Sequence, residues 1–280
     1  MTEPGWLDRA VAVLTDAGVP SPRVDAELLA VDGVGLARTE LRRAPDPGEP
    51  YWHLVGRRAQ REPLQHLLGR AWFRHIEVAV GPGVFVPRPE TEVVTEAAVA
   101  EAARLVSTGQ APVVVDLGAG TGVIALSVAD EVPGAVVHAV EADAAAYAWA
   151  TRNVAGSRVR LHRGDLADCL TELDGRVDVV VSNPPYIPPD GVPVDPEVRD
   201  HDPARALYGS GPDGLGEVRA VVASAGRLLV PGGLLVVEHA DRQAEAVAGL
   251  LDKGWRDVAC HRDLTDRPRY VTARLVGGDR

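Results

Sequence analysis

From Pro112 onward the chain repeats one pattern: a short, largely apolar run followed by a longer amphipathic stretch. The runs fall at 113–115, 135–140, 177–181 and 234–238, with Val their commonest residue, and the more polar 158–162 reads as a further strand. A strand that is apolar at every position is buried on both faces, and parallel strands need a helix-length crossover. The pattern therefore predicts the α/β class, with a mostly parallel sheet covered by helices. The intervening helices are expected to end near 130, 153, 229 and 251. Two further strands, 255–260 and 269–275, close the chain. A long loop is expected from 187 to about 213.

The first third of the chain reads differently. Residues 6–17 place Trp6, Ala10, Val13 and Leu14 on one helical face. Ser21-Pro22 opens a second helix as an N-cap followed by proline at N1, and Gly33 and Gly35 end it. A proline-rich loop spans 44–50. The next helix, 51–61, carries Arg57, Arg58 and Arg61, which read as a solvated face, with a docking patch for an acidic partner as the alternative. Residues 72–80 alternate like a strand, Gly81-Pro82-Gly83 forms a turn, and 84–86 forms a second strand. These assignments predict an N-terminal helical domain over 1–70, a β-hairpin linker over 71–90 and a sheet domain over 91–280. A chain of 280 residues has room for such a pair.

Charge narrows the partners. The formal charge is −11, yet residues 1–75 hold ten arginines and ten acids, so the whole excess lies in 76–280. That disfavours nucleic acid held by bulk charge, although it leaves room for a small basic groove. No apolar run reaches the ~18 residues of a membrane span. The first residues place acids ahead of the apolar ones and lack a basic n-region, unlike a secretory signal. Cys169 and Cys260 form no CxxC pair or Cys/His cluster, and His66 and His75 have no carboxylate at ligand spacing, so no metal site is expected. The expectation is a cytoplasmic protein. His239, at the end of an apolar strand, reads as a satisfied strand-end histidine.

Two motifs carry chemistry. The first strand of the sheet domain runs into Asp116-Leu117-Gly118-Ala119-Gly120-Thr121-Gly122. Ligands of such sheets bind beyond the carboxyl ends of the strands, and glycines allow close approach of the backbone. The spacing is neither GxGxxG nor GxxxxGK[ST], which argues against a dinucleotide or nucleoside triphosphate. Glu141, ending the next strand, suits a ribose, and Asp165, after the third, suits the exocyclic amine of adenine. A glycine-rich turn with surface acids is the plainer alternative for the loop taken alone.

The second motif is Ser182-Asn183-Pro184-Pro185-Tyr186, at the end of the fourth strand of that domain. A planar nitrogen is a poor nucleophile because its lone pair is delocalised. A site acting on it must grip the NH2 group by both protons and aim the nitrogen at an electrophile. The Asn183 side-chain carbonyl and the Pro184 backbone carbonyl supply two acceptors, and consecutive prolines hold the latter rigidly. Tyr186 stacks on a flat group and excludes water. Orientation supplies most of the rate, with no base of unusual pKa required. A proline-stiffened loop is the alternative.

In this order, GAGTG, Glu141, Asp165 and NPPY resemble class I S-adenosylmethionine-dependent methyltransferases acting on planar nitrogens. Four further segments are similar to the release factor glutamine methyltransferase family (PrmC/HemK): Glu62 to Gly69 (EPLQHLLG), Gly83 to Glu92 (GVFVPRPETE), Asp213-Gly214-Leu215, and Leu234 to His239 (LLVVEH). NPPY is shared with DNA adenine methyltransferases; the segments EPLQHLLG and PRPETE are more specific.

The resemblance implies a Rossmann-like, seven-stranded, mostly parallel sheet whose last strand is antiparallel. It implies methylation of N5 of the glutamine in the Gly-Gly-Gln loop of class I peptide chain release factors, by a monomer without direct nucleic-acid contact. S-adenosylmethionine would lie against Asp116, Gly118, Ala119, Gly120, Thr121 and Gly122, with its ribose on Glu141, its adenine between Asp165 and Leu166, and Asn183 nearby. Asn183, Pro184, Pro185 and Tyr186 would hold the substrate amide, with Asn183, Pro184 and Tyr186 catalytic. Arg88, read from its place between an extended segment and a helix start, suits a lid over the cofactor or the substrate and is a candidate substrate-binding residue, its alternative being an ion pair with Glu92 across one helical turn. The N-terminal helices would dock the release factor. Leu166 stands where some relatives have an aromatic, and His201-Asp202-Pro203 replaces a common Phe-Glu-Pro. Methyl transfer to a ribosomal-protein glutamine, or to adenine or cytosine, uses the same chemistry and is the competing reading.

Overall fold

The computed structural model describes residues 5–277. The chain divides into two compact units, each built from more than one stretch of sequence.

The first unit comprises residues up to Arg70, Val80–Pro82 and Val192–Asp202. It contains α1 (Trp6–Asp16), α2 (Pro22–Leu28) running into a π turn at Leu29–Gly33, α3 (Glu49–Ala59) and α4 (Leu64–Leu68). The predicted apolar spacing of α1 buries Trp6, Leu7, Ala10 and Leu14. Ser21 does occupy the N-cap of α2, with Pro22 at N1, but its hydroxyl makes no capping bond. Tyr51 is fully buried; its hydroxyl donates to the Ala26 carbonyl at 3.1 Å, and Trp6 meets its ring edge-on at 5.2 Å.

The second unit opens with a hairpin of β1 (Arg70–Phe73) and β2 (Ile76–Ala79), of which residues 71–79 belong to this unit. This corrects the expected hairpin. The turn lies at Arg74-His75, inside the run read as one strand, and 84–86 is not a strand. Arg74 adopts φ +50°. Its amide donates to Glu92 Oε1 and its guanidinium is paired with Glu131 and Glu96. A turn held by distant acids carries no glycine or proline signal.

There follow α5 (Thr91–Ser107), β3 (Val113–Leu117), α6 (Val123–Glu131), β4 (Val136–Glu141), α7 (Ala144–Val154), β5 (Arg160–Arg163) and β6 (Val177–Ser182). Then come α8 (Pro196–His201), α9 (Ala204–Leu207), α10 (Gly216–Leu228), β7 (Leu229–Glu238), α11 (Ala244–Ala248), β8 (Trp255–Arg262) and β9 (Pro268–Leu275). The segment expected to be a long loop thus carries two short helices. The first of them, α8, belongs to the N-terminal unit.

The sheet order is β5-β4-β3-β6-β7-β9-β8. Strands β3 to β7 pair in parallel, and β9 runs antiparallel to both β7 and β8. Strand order reverses between β3 and β6, which places a crevice at their carboxyl ends. Val115, Leu117, Val180, Leu235 and Val237 form the sheet's contribution to a core completed by α10 residues Val218, Val221 and Leu228.

Candidate active site

The glycine loop and the NPPY loop leave adjacent strands. Asp116 pairs with Val181 in the β3/β6 ladder, and the Ser182 hydroxyl donates to the Leu117 carbonyl at 2.6 Å. The last residues of β3 and β6 are thereby stitched together just before both loops begin.

The glycine loop folds back onto the end of β4. The amides of Gly118 and Ala119 both donate to the Val140 carbonyl at 2.9 Å, and the Gly120 amide donates to Glu141 Oε2 at 2.8 Å. Gly118 and Gly120 have φ of +77° and +58°, and a Cβ on either would meet nothing within 4 Å. Their glycine requirement is conformational, and the space above them is open. That open cradle is a surface a ligand can approach closely.

Glu141 is nearly buried, and its carboxylate is aimed by two backbone donors: Gly120 on Oε2 and Asp143 on Oε1, at 2.8 and 2.7 Å. Burial raises its pKa, and the backbone donors counter that rise in part. Asp143 also caps α7, accepting from the Ala145 and Ala146 amides. Gly164 donates to the Glu141 carbonyl at 3.1 Å, which brings the Asp165 loop to the same strand end. Asp165 is exposed, with Oδ1 on the Ala167 amide; Leu166 is half-buried, and its carbonyl accepts from Ser224. Asp116 is fully buried, one oxygen on the Ala125 amide and the other without a partner. Burial pushes its pKa up to about 7.

Asn183 is half-buried and Pro184 buried. The Asn183 amide donates from Nδ2 to Thr91 Oγ1 at 3.1 Å, keeping its own carbonyl oxygen as an acceptor. Thr91 is the buried first residue of α5, within the PRPETE segment. Tyr186 donates to Glu238 Oε1 at 3.3 Å, and buried Glu238 Oε2 has no hydrogen-bond partner. Burial pushes Glu238 up to about 7 and raises the Tyr186 hydroxyl far above its ordinary value. Behind the motif, Gly214 has φ +71°, and a Cβ there would lie 2.7 Å from the Tyr186 carbonyl. Gln243 donates to that same carbonyl at 2.8 Å.

Thus the residues of the two motifs converge, but the sequence gives no role to Thr91, which meets Asn183, or to Glu238, which meets Tyr186. Glu238 carried a usable signal: a charge ending an apolar parallel strand sits at the ligand-facing edge. Arg88 is half-buried, its guanidinium 5.1 Å from the Phe85 ring centroid; Glu92, its expected partner, accepts from Arg74. His239 is only half satisfied: Nδ1 lies 2.7 Å from the Ala240 carbonyl, while buried Nε2 has no partner.

The Arg57/Arg58/Arg61 face is not solvated as expected. Arg58 is 5% exposed and pairs with Asp25 and Glu197, each at 2.7 Å. Arg61 grips the other oxygen of Glu197 at 2.5 Å, while Arg57 pairs with Glu62. Helical spacing could not reveal an acid far along the chain.

Two family models match, the methyltransferase small domain over 81–193 and the PrmC N-terminal domain over 5–69. The chain is 52% identical over 271 residues to a release factor glutamine methyltransferase of Streptomyces coelicolor, covering 95% of each chain. It is also 44% identical over 249 residues to a 4-amino-L-phenylalanine/4-methylamino-L-phenylalanine methyltransferase of Streptomyces pristinaespiralis, covering 87% of this chain and 85% of that one. A methyltransferase structure from Pyrococcus furiosus matches the fold with a TM-score of 0.51 at 19% identity, over 72% of this chain and 89% of that one.

Proposed function

We propose the reaction from one premise, that the chain belongs to the release factor glutamine methyltransferase family: it methylates N5 of the glutamine in the Gly-Gly-Gln loop of class I release factors. S-adenosylmethionine is the methyl donor, supplying an electrophilic carbon on a sulfonium. The open cradle over Gly118 and Gly120 and the backbone-aimed Glu141 carboxylate fit its amino-acid end and ribose. Asp165 and Leu166 would flank the adenine, and Asp116, Ala119, Thr121 and Gly122 complete the loop.

The observation that carries the reading is the Asn183 amide, whose donor is engaged by Thr91 so that its carbonyl remains an acceptor. The Asn183 and Pro184 carbonyls then hold the two N–H groups of a carboxamide, with Tyr186 and Pro185 closing the pocket against water. Holding nitrogen and methyl carbon in line supplies most of the barrier reduction. The nitrogen becomes acidic once alkylated, so proton loss follows transfer and needs no tuned base.

The N-terminal unit serves as the docking surface for the release factor, and Arg88 lies on the substrate side. The partner is that protein, not nucleic acid, and the setting is cytoplasmic translation, with the enzyme acting as a monomer. Among the described residues no helix is long and apolar enough to cross a membrane. Mass spectrometry of a release factor incubated with the protein and S-adenosylmethionine tests this. One added methyl on the Gly-Gly-Gln glutamine is expected; an unmodified release factor overturns the assignment.

The relative that acts on an aromatic amine favours a second reading. An aniline nitrogen is also flat and delocalised, so the same carbonyl pair accepts it. Label appearing on 4-amino-L-phenylalanine and not on the release factor would select that reading.

A further inference from the structure

We propose that the segment between NPPY and α9 is a finger that docks the protein substrate, with Val192 and Val194 as its contact residues. The proposal deepens the reading above and rests on it for the identity of the partner as a release factor.

The finger is closed at its base directly behind the motif. The Ile187 amide donates to the Leu207 carbonyl and the Gly209 amide to the Ile187 carbonyl, both at 2.9 Å, so that Ile187 bridges to Tyr208 as in a sheet. Ile187 follows Tyr186 in the chain, so the finger starts where the motif ends.

Its outer part is held, yet its valines are left in water. Residues 192–202 belong to the helical unit, where Glu197 takes Arg58 and Arg61 at 2.7 and 2.5 Å. Asp195 Oδ1 accepts from the Glu197 amide, and Pro193 and Pro196 fix φ on either side of Val194-Asp195. Glu197 is 7% exposed, whereas Val192 is 71% and Val194 96% exposed. A single exposed apolar side chain needs no explanation. Two of them, at i and i+2, stand on a segment stiffened by prolines and clamped by arginines. Such a pair is a preorganised contact, because covering it orders little further chain.

What covers it follows from its place in the chain. Val192 lies six residues beyond Tyr186, so it stands within ~22 Å of the motif whatever path the backbone takes. A protein that presents a glutamine to Asn183 carries chain through that radius; a free amino acid has no such chain to bring. The finger is therefore an apolar contact for the polypeptide around the reacting glutamine, continuous with the loop that grips its carboxamide.

Steady-state methylation of a release factor by the full-length protein tests this. The double variant Val192→Ser, Val194→Ser should raise KM for the release factor about five- to twentyfold, the loss expected from two apolar contacts. At saturating release factor kcat should stay within about twofold, and calorimetry should find S-adenosylmethionine affinity unchanged. Leu264→Ser removes a side chain that is 94% exposed in the turn between β8 and β9, and it should leave KM where it was.

An unchanged KM in the double variant overturns the proposal. So does a fall in kcat with KM unmoved, which would make the finger a brace for NPPY. An equal rise in Leu264→Ser would mark a general effect of surface hydrophobicity and overturn it too. Sedimentation that shows a dimeric parent and a monomeric double variant would assign the valines to a second copy of the chain, against the proposal. Whether the parent methylates a release factor is read before any variant is made, so failure of the substrate assignment and failure of the finger are distinguishable.

Discussion

The two units treat a buried carboxylate in opposite ways. In the N-terminal unit Glu197 is gripped by Arg58 and Arg61, and Asp25 completes the arrangement. Burial alone would raise the pKa of Glu197, but the hydrogen bonds its carboxylate accepts from Arg61 and Arg58 hold it well below the usual carboxylate range. In the sheet unit Asp116, Glu141 and Glu238 meet backbone amides or hydroxyls and make no ion pair, and burial raises all three. A carboxylate saturated by arginines has little capacity left for a ligand. One held only by weak donors keeps lone pairs in reserve at a cost in stability. The first arrangement anchors residues 192–202, a segment that follows NPPY in the chain, onto the helical unit. The second builds a site.

Breaking the anchored pair should give the largest effect on stability. Arg58→Ala leaves Asp25 and Glu197 buried with a cation removed, and loss of one partner of such a pair costs about 3–5 kcal/mol. Urea denaturation should show that loss, with S-adenosylmethionine affinity of the folded fraction retained. A change within ~0.5 kcal/mol would mean that these groups are solvated after all.

The corresponding cut in the sheet unit is Asn183→Ala. It should lower kcat about a hundredfold or more, the scale for losing an oriented polar group at a reacting centre, while calorimetry finds cofactor binding nearly intact. Joint loss of both would make Asn183 structural.

The two arrangements should also separate by pH. Asp116, with a folded pKa near 7, binds its proton more tightly folded than unfolded. Between roughly pH 4 and 7 its contribution therefore lowers stability as pH rises. Glu197 runs the other way: its contribution is present above the unfolded value and is lost as pH falls toward its depressed folded pKa. Asp116→Asn should remove the Asp116 slope, gaining on the order of 4 kcal/mol at pH 8 relative to pH 4. A pH-independent difference would mean that Asp116 does not titrate in that window.

The contrast also explains what was legible in the sequence. The sheet unit's frame was readable because parallel strands demand apolar runs, and its motifs were readable because GAGTG and NPPY are local. Asn183 announces itself by its neighbours in the chain. Thr91 and Glu238 do not, since their roles exist only when α5 and β7 come to the end of β6. Arg58 was misread for the same reason: an arginine on an amphipathic helix looks solvated until residue 197 returns to it. The Arg74 turn was missed because its positive φ is held by acids at 92, 96 and 131. Periodicity reports what a segment does with itself, and long-range ion pairs lie outside it.

The remaining cut sharpens the comparison most, because it separates binding from turnover within one unit. Glu141 is aimed by the Gly120 and Asp143 amides at the strand end where the ribose is assigned. Glu141→Gln keeps the shape but turns one acceptor oxygen into a donor, setting it against one of those amides and weakening its grip on ribose hydroxyls. A lost hydrogen bond to a charged group is worth about 1.5–3 kcal/mol, so cofactor affinity should fall about ten- to a hundredfold. With cofactor saturating, kcat should stay within about threefold of the parent, because Glu141 lies at the end of β4 while the groups proposed to hold the substrate nitrogen follow β6. Titration calorimetry and steady-state kinetics on the same preparation give both numbers. A large fall in kcat at saturation would place Glu141 in the transfer step and erase the division of labour between the two strand ends.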